Sequence, residues 1–110
     1  MTTFTMRCSR DQVVLLPIPF TDLTSNKVRP AIVVGHGTWP GDLLVVPVTS
    51  QMSKVDMPLA GWSEAGLNVP SGLKGQICTV EDRLVRKVVG RISREDRGNL
   101  DAGLRLWLEL

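Results

Sequence analysis

The sequence predicts a small, barrel-like, mainly β domain of α+β type that ends in one α-helix. Three observations carry this expectation. Short runs of branched apolar residues recur between turns rich in Gly and Pro, prolines interrupt several of those runs, and the hydrophobic period becomes helical only in the last segment. Several short strands followed by a single helix fit a curved sheet that one helix covers.

The first run, residues 13–20 (VVLLPIPF), is too short for a typical helix and carries Pro17 and Pro19. Each proline removes a ladder donor, so a strand that bends or lies at an edge is expected. The polar stretch 21–28 (TDLTSNKV) separates it from a second strand at 30–35 (PAIVVG), and that loop reads as a candidate mobile flap. After the turn HGTWPGD, a third strand is expected over 43–49 (LLVVPVT), again curved because Pro47 interrupts it. Residues 57–75 are punctuated by Gly and Pro and read as short strands and loops. The runs 76–80 (QICTV) and 84–92 (LVRKVVGRI) supply the last two strands, the second bent at Gly90. Ser93 with Asp96 reads as a helix N-cap followed by an acidic first turn. Leu100, Leu104, Trp107 and Leu108 then fall on one helical face.

Composition narrows the function classes. A chain of 110 residues fits one domain, and a net charge of +2 is too small to hold nucleic acid by overall charge. Any such partner must be gripped locally. The single His36 excludes a His-rich metal site and a two-histidine nuclease, and its place in a turn reads as an ordinary solvated histidine. Cys8 and Cys78 lie far apart with no metal-type spacing, so neither zinc nor a disulfide framework is expected, and a reducing cytoplasm is. There is no signal-peptide core and no apolar run long enough to span a membrane, so a soluble, unprocessed protein is expected.

No nucleophile elbow, zinc helix or phosphate loop is present, and the polar residues where strands meet loops become the candidates. Arg29 opens one strand, and Thr49, Ser50 and Gln51 close another. If those strands are neighbours, a guanidinium and hydroxyls converge on one patch suited to a phosphodiester. The competing arrangement pairs Arg29 with Asp22 or a carbonyl and leaves Thr49 and Ser50 capping a turn. Trp107 is expected in the core, whereas Trp39 and Trp62 in loops could pack or stack on bases. The basic run Arg83, Arg86, Lys87, Arg91, Arg94 and Arg97 is diluted by acids and reads as a solvated face rather than an RNA track.

The segments DQVVLLPIPFTDLTSNKVRPAIVVG, DLLVVPVTSQ, WSEAGLNVPSGLK and ICTV together resemble the PemK/MazF toxins of bacterial type II toxin–antitoxin systems, from about residue 11 onward. The resemblance implies an SH3-like β-barrel with a C-terminal helix and a homodimer. It also implies metal-independent cleavage of single-stranded RNA to a 2′,3′-cyclic phosphate and a 5′-hydroxyl, with no cofactor. It places Arg29 and Thr49 as the catalytic pair. Ser50, Gln51, Thr21, Asp22, Lys27, Lys74 and Gln76 are then the expected substrate-binding residues. The implied partner is an antitoxin of the MazE/PemI kind, a small acidic protein. Two departures stand out. Asp11-Gln12 replaces the family's usual Gly-Asp or Gly-Glu, and Lys74 and Gln76 stand where Kid-like members carry Arg and Asp. A gyrase poison of the CcdB kind, which shares the barrel, and a degenerate member that only binds antitoxin are the alternatives.

Overall fold

A computed structural model describes residues 8–17 and 27–110. The strands are β1 (Gln12–Pro17), β2 (Val28–His36), β3 (Asp42–Thr49), β4 (Met57–Pro58), β5 (Gly72–Leu73), β6 (Cys78–Glu81) and β7 (Lys87–Arg91), followed by helix α1 (Arg94–Trp107). They form an antiparallel sheet in the order β4-β5-β3-β2-β1-β7, with β6 also on β3.

The apolar runs are nearly continuous because both faces of the central strands are covered. Val13, Ile32 and Val46 point to one side, where they pack with Leu73 and Leu100 of the helix. Their neighbours Val14, Leu16, Ala31, Val33 and Val45 point to the other side with Cys8 and Leu43. This is the two-residue alternation of a strand, filled on both sides.

Curvature has identifiable sources. The register of β1 on β7 slips between Val13 and Val14, and that of β2 on β3 slips between Val33 and Gly35, and such bulges bend a strand. Along its outer edge β3 changes partner: Asp42 to Val45 pair with β6, while Val48 and Thr49 pair with β5. The third strand therefore belongs to two parts of the sheet, with Pro47 between them.

The predicted strands and helix are present with shifted ends. β1 is observed to Pro17, and residues 18–20 of the predicted run lie outside the described residues. The predicted strand at 76–80 moves to Cys78–Glu81. The predicted strand at 84–92 is shorter, because Asp82–Leu84 forms a 3-10 turn before β7 begins at Lys87. His36 ends β2 opposite Leu43 instead of lying in the turn, and its Nε2 is 2.9 Å from the Cys8 carbonyl. Ser93 caps α1 by accepting the Asp96 N–H at 3.1 Å. On the helix, Leu100 is fully buried and Leu104 and Trp107 pack against the core, but Leu108 sits at the C-cap, half exposed. The helix has ended there, so the stripe no longer faces the sheet.

The first departure acquires a structural meaning. Asp11 has φ 77°, the left-handed region that favours glycine. Its carboxylate is buried and lies 3.3 Å from Arg97 Nε on the helix and 3.7 Å from Arg10 Nε. The backbone strain is thus offset by an ionic tie between the start of β1 and α1. Arg10 also pairs with Asp101.

Candidate functional site

The β2–β3 ladder runs from His36↔Leu43 to Ala31↔Pro47 and goes no further. Pro30 and Pro47 have no N–H to donate, and past them the two strands part. A groove of about 540 Å³ opens at this place, with Arg29 and Pro30 on one bank and Pro47, Val48 and Thr49 on the other. Carrying the same antiparallel register two residues past the ladder sets Arg29 opposite Thr49. The neighbouring-strand arrangement therefore holds for these two residues.

Further residues complete the groove. After Thr49 the chain makes the 3-10 turn Met52–Lys54, in which the Lys54 amide donates to the Gln51 carbonyl at 2.9 Å. This turn brings Ser50, Gln51 and Lys54 to the groove. Lys74 joins them from just beyond β5. The far wall is the segment 66–69, with Ser71 at its foot.

That wall is fixed from a distance. The buried Asp96 carboxylate in α1 accepts the amides of Ala60 at 3.0 Å and Gly61 at 2.8 Å. The turn then closes through Ala65 N–H to the Gly61 carbonyl and Leu67 N–H to the Trp62 carbonyl. At its end Gly66, with φ +93°, lies directly on the backbone of β7. A Cβ there would strike the Val89 carbonyl, and one on Gly90 would strike the Ala65 carbonyl.

The charge of the groove has one sign. Arg29, Lys54 and Lys74 line it, and among the described residues no Asp, Glu or His does. Thr49 Oγ1 accepts the Gln51 N–H at 3.1 Å, so the turn-capping role is real. Accepting that bond leaves the hydroxyl proton available for donation into the groove. An anionic ligand with several oxygens is the chemistry such a site fits. Among the described residues no group of three or more His, Cys, Asp or Glu could hold a metal ion.

The other expected site residues are placed as follows. Thr21 and Asp22 lie outside the described residues, and so does most of the expected flap. Lys27 is exposed just before β2 and does not line the groove. Gln76 also stays out of it, with its side-chain amide directed at Cys78 Sγ, 3.5 Å away. Trp62 packs against the core, whereas Trp39 is 75% exposed at the opposite end of the β2–β3 hairpin. In the basic run, Arg83 pairs with Glu81, Arg91 donates to the Arg10 carbonyl and Ser9 Oγ, and Arg97 pairs with Asp11. Two of the six cations are thus ion-paired and a third is hydrogen-bonded.

Sequence reasoning missed Lys54, Asn68 and the anchor Asp96. Lys54 had a signal, a cation three residues after TSQ in a segment short enough to turn back. Asp96 had none beyond its place in the first turn of the helix.

A curved antiparallel sheet with a C-terminal helix and a cationic, hydroxyl-bearing groove where two strands part defines a small mainly β protein. The comparisons with known proteins are specific on its family. The chain belongs to the PemK-like, MazF-like toxins of type II toxin–antitoxin systems, whose family model matches residues 9–108. No curated protein matches it by sequence. Solved structures share its fold at low identity. The Mycobacterium tuberculosis toxin MazF-mt6 superposes with a TM-score of 0.69 at 15% identity, over 90% of this chain and 97% of that one. An endoribonuclease from a mycobacterial species gives 0.67 at 16% identity, over 98% and 97%. A mycobacterial endoribonuclease in complex with its cognate antitoxin gives 0.65 at 17% identity, over 92% of each chain.

Proposed function

We propose that this toxin is a metal-independent endoribonuclease that cuts single-stranded RNA. The observation that carries the reading is that Arg29 and Thr49 share one groove with Lys54 and Lys74. A phosphodiester suits that charge, and family membership supplies the toxin context.

The chemistry divides among these groups. The ribose 2′-oxygen attacks its own phosphorus, the bond from phosphorus to the 5′-oxygen breaks, and a 2′,3′-cyclic phosphate and a 5′-hydroxyl result. The proton lost by the 2′-hydroxyl is balanced by the one gained at the 5′-oxygen. Arg29 stabilises the charge that grows on the non-bridging oxygens, since its fork donates to two oxygens at once. A guanidinium is a poor acid, so electrostatic stabilisation is its main role. Thr49 orients the 2′-hydroxyl or the phosphate with its remaining proton. Among the described residues no carboxylate or imidazole lines the groove, so in this scheme water carries protons in and out, and a slow enzyme is expected.

Ser50, Gln51 and the two lysines bind substrate in this scheme. A homodimer enlarges the binding surface, because one barrel-sized protomer offers a short track for RNA. The antitoxin is an acidic segment that covers the same cationic groove, and the cytoplasm is where the RNA substrate is met. The test is cleavage of a mixed-sequence single-stranded RNA in EDTA. Wild-type protein cuts it, and Arg29→Ala or Thr49→Ala slows cutting at least about 100-fold, the scale of losing a key electrostatic group. Undiminished cleavage by both variants refutes the assignment.

A further inference from the structure

The cations on the groove floor grip phosphate without regard to sequence; reading a base needs a donor and an acceptor on a rigid support. The segment 66–69 offers one such pair. Gly66 has no side chain, Leu67 packs against the core and Val69 is apolar. Ser71 nearby commits its hydroxyl to the Val69 carbonyl at 2.8 Å. Asn68 alone on this wall carries both a carbonyl oxygen and an amide NH2. It is exposed, lines the groove, and its side chain makes no hydrogen bond among the described residues.

Its backbone, in contrast, is held on both sides. Leu67 before it donates to the Trp62 carbonyl at 3.1 Å, and the carbonyl of Val69 after it is the one bound by Ser71. Pro70 fixes its own φ, and Gly66 is seated on β7. An unpartnered amide on a stiff stretch of chain is a preorganised reader, because little freedom is lost when it binds. Unstacked RNA bases present such edges freely.

We propose that Asn68 reads a nucleobase beside the scissile phosphate, through paired hydrogen bonds from its side-chain amide. This rests on the endoribonuclease reading above. Arg29 and Thr49 act on the phosphate common to every nucleotide, and Asn68 selects which nucleotide is presented to them. Aspartate at this position has the same shape and only acceptors. It therefore favours edges that present adjacent donors, above all the N1–H and exocyclic amine of guanine, and disfavours any base that Asn68 reads through its own NH2.

The experiment maps cut sites on a long mixed-sequence RNA for wild-type, Asn68→Asp, Asn68→Ala and Arg29→Ala proteins. Wild type is expected to prefer certain bases at one position near the cut. Asn68→Ala flattens that preference about 10-fold, the scale of one bidentate contact, and Asn68→Asp moves it toward guanine. Arg29→Ala lowers cutting at all sites alike. If wild type cuts and both Asn68 variants keep its ranking of sites, or slow every site equally, the proposal is overturned while the nuclease reading stands. If wild type leaves RNA intact, the nuclease reading falls and takes the proposal with it.

Discussion

Replacing Asp96 by alanine removes the side-chain hydrogen bonds that tie the turn ahead of the groove wall to the helix. The carboxylate is fully buried and holds two backbone amides, those of Ala60 and Gly61. With it gone, both N–H groups lose a charged acceptor on a stretch where Gly61 is half-buried. Each hydrogen bond to a charged group contributes about 1.5 to 3 kcal/mol. Part of that loss is offset because the carboxylate's own desolvation is no longer incurred. A net destabilisation of about 3 to 4 kcal/mol is expected, at the upper end of single substitutions. For a domain of this size that lowers Tm by roughly 12 to 20 °C, readable by thermal circular dichroism. Hydrogen exchange supplies the local readout: the amides of residues 60, 61, 65 and 67 lose protection before the strands do. Ser93→Ala serves as the control, since it removes only the N-cap and costs about 1 kcal/mol. A Tm for Asp96→Ala within about 4 °C of wild type, with residues 60 to 67 still protected, refutes the anchor.

Three further outcomes are expected. Asp11→Gly loses the ties to Arg97 and Arg10 but gains backbone ease at φ 77°, so Asp11→Ala, which loses both, is less stable than Asp11→Gly by about 1 kcal/mol in urea unfolding. Equal stability of the two refutes the strain. Lys54→Ala and Lys74→Ala each weaken RNA binding whatever the sequence, and each lowers the slope of log affinity against log salt by about 0.7; an unchanged slope removes that lysine from the phosphate track. Burial pushes the Cys8 thiol up, with the charge of Asp82 acting in the same direction, and burial likewise pushes Cys78 up against the opposing hydrogen bond from Gln76. The folded chain thus holds these thiol protons more tightly than the unfolded chain. Their contribution to stability is intact below the ordinary thiol value of about 8.5 and is lost as pH rises through the raised folded values. Between those limits Tm declines less steeply in Cys8→Ala than in wild type, and parallel declines refute the linkage.

Most of the β framework was legible because local chemistry and global fold agree. Residues 13–17, 30–35 and 43–49 are branched and apolar without a helical period, and they are strands wherever they are described. The N-cap at Ser93 announced the helix from four residues. Agreement failed where a boundary depends on partners distant in sequence. Leu84 and Val85 look like strand residues, yet the hydrogen bond from the Val85 amide to the Asp82 carbonyl closes a turn there, and β7 starts later. Leu108 continues the apolar stripe in sequence but lies past the point where the helix faces the sheet.

The site divides along the same line. Arg29 and Thr49 could be picked out from their positions at strand ends, and their meeting followed once β2 and β3 proved adjacent. Lys54, Asn68 and Asp96 could not. Residues 61–71 have neither a two-residue nor a helical period, so nothing local dictates their path. Their position is imposed by a carboxylate 35 residues away and by backbone packing of Gly66 on β7. Residue order was enough to state which segments form strands, which residue caps the helix and which strand ends carry candidate groove residues. The shape of the groove, its gathering of cations and the wall that carries Asn68 arise only when strands, turn and helix close on one another. Charge and hydrogen-bond partners at a site are properties of neighbours in space, and sequence separation does not limit them.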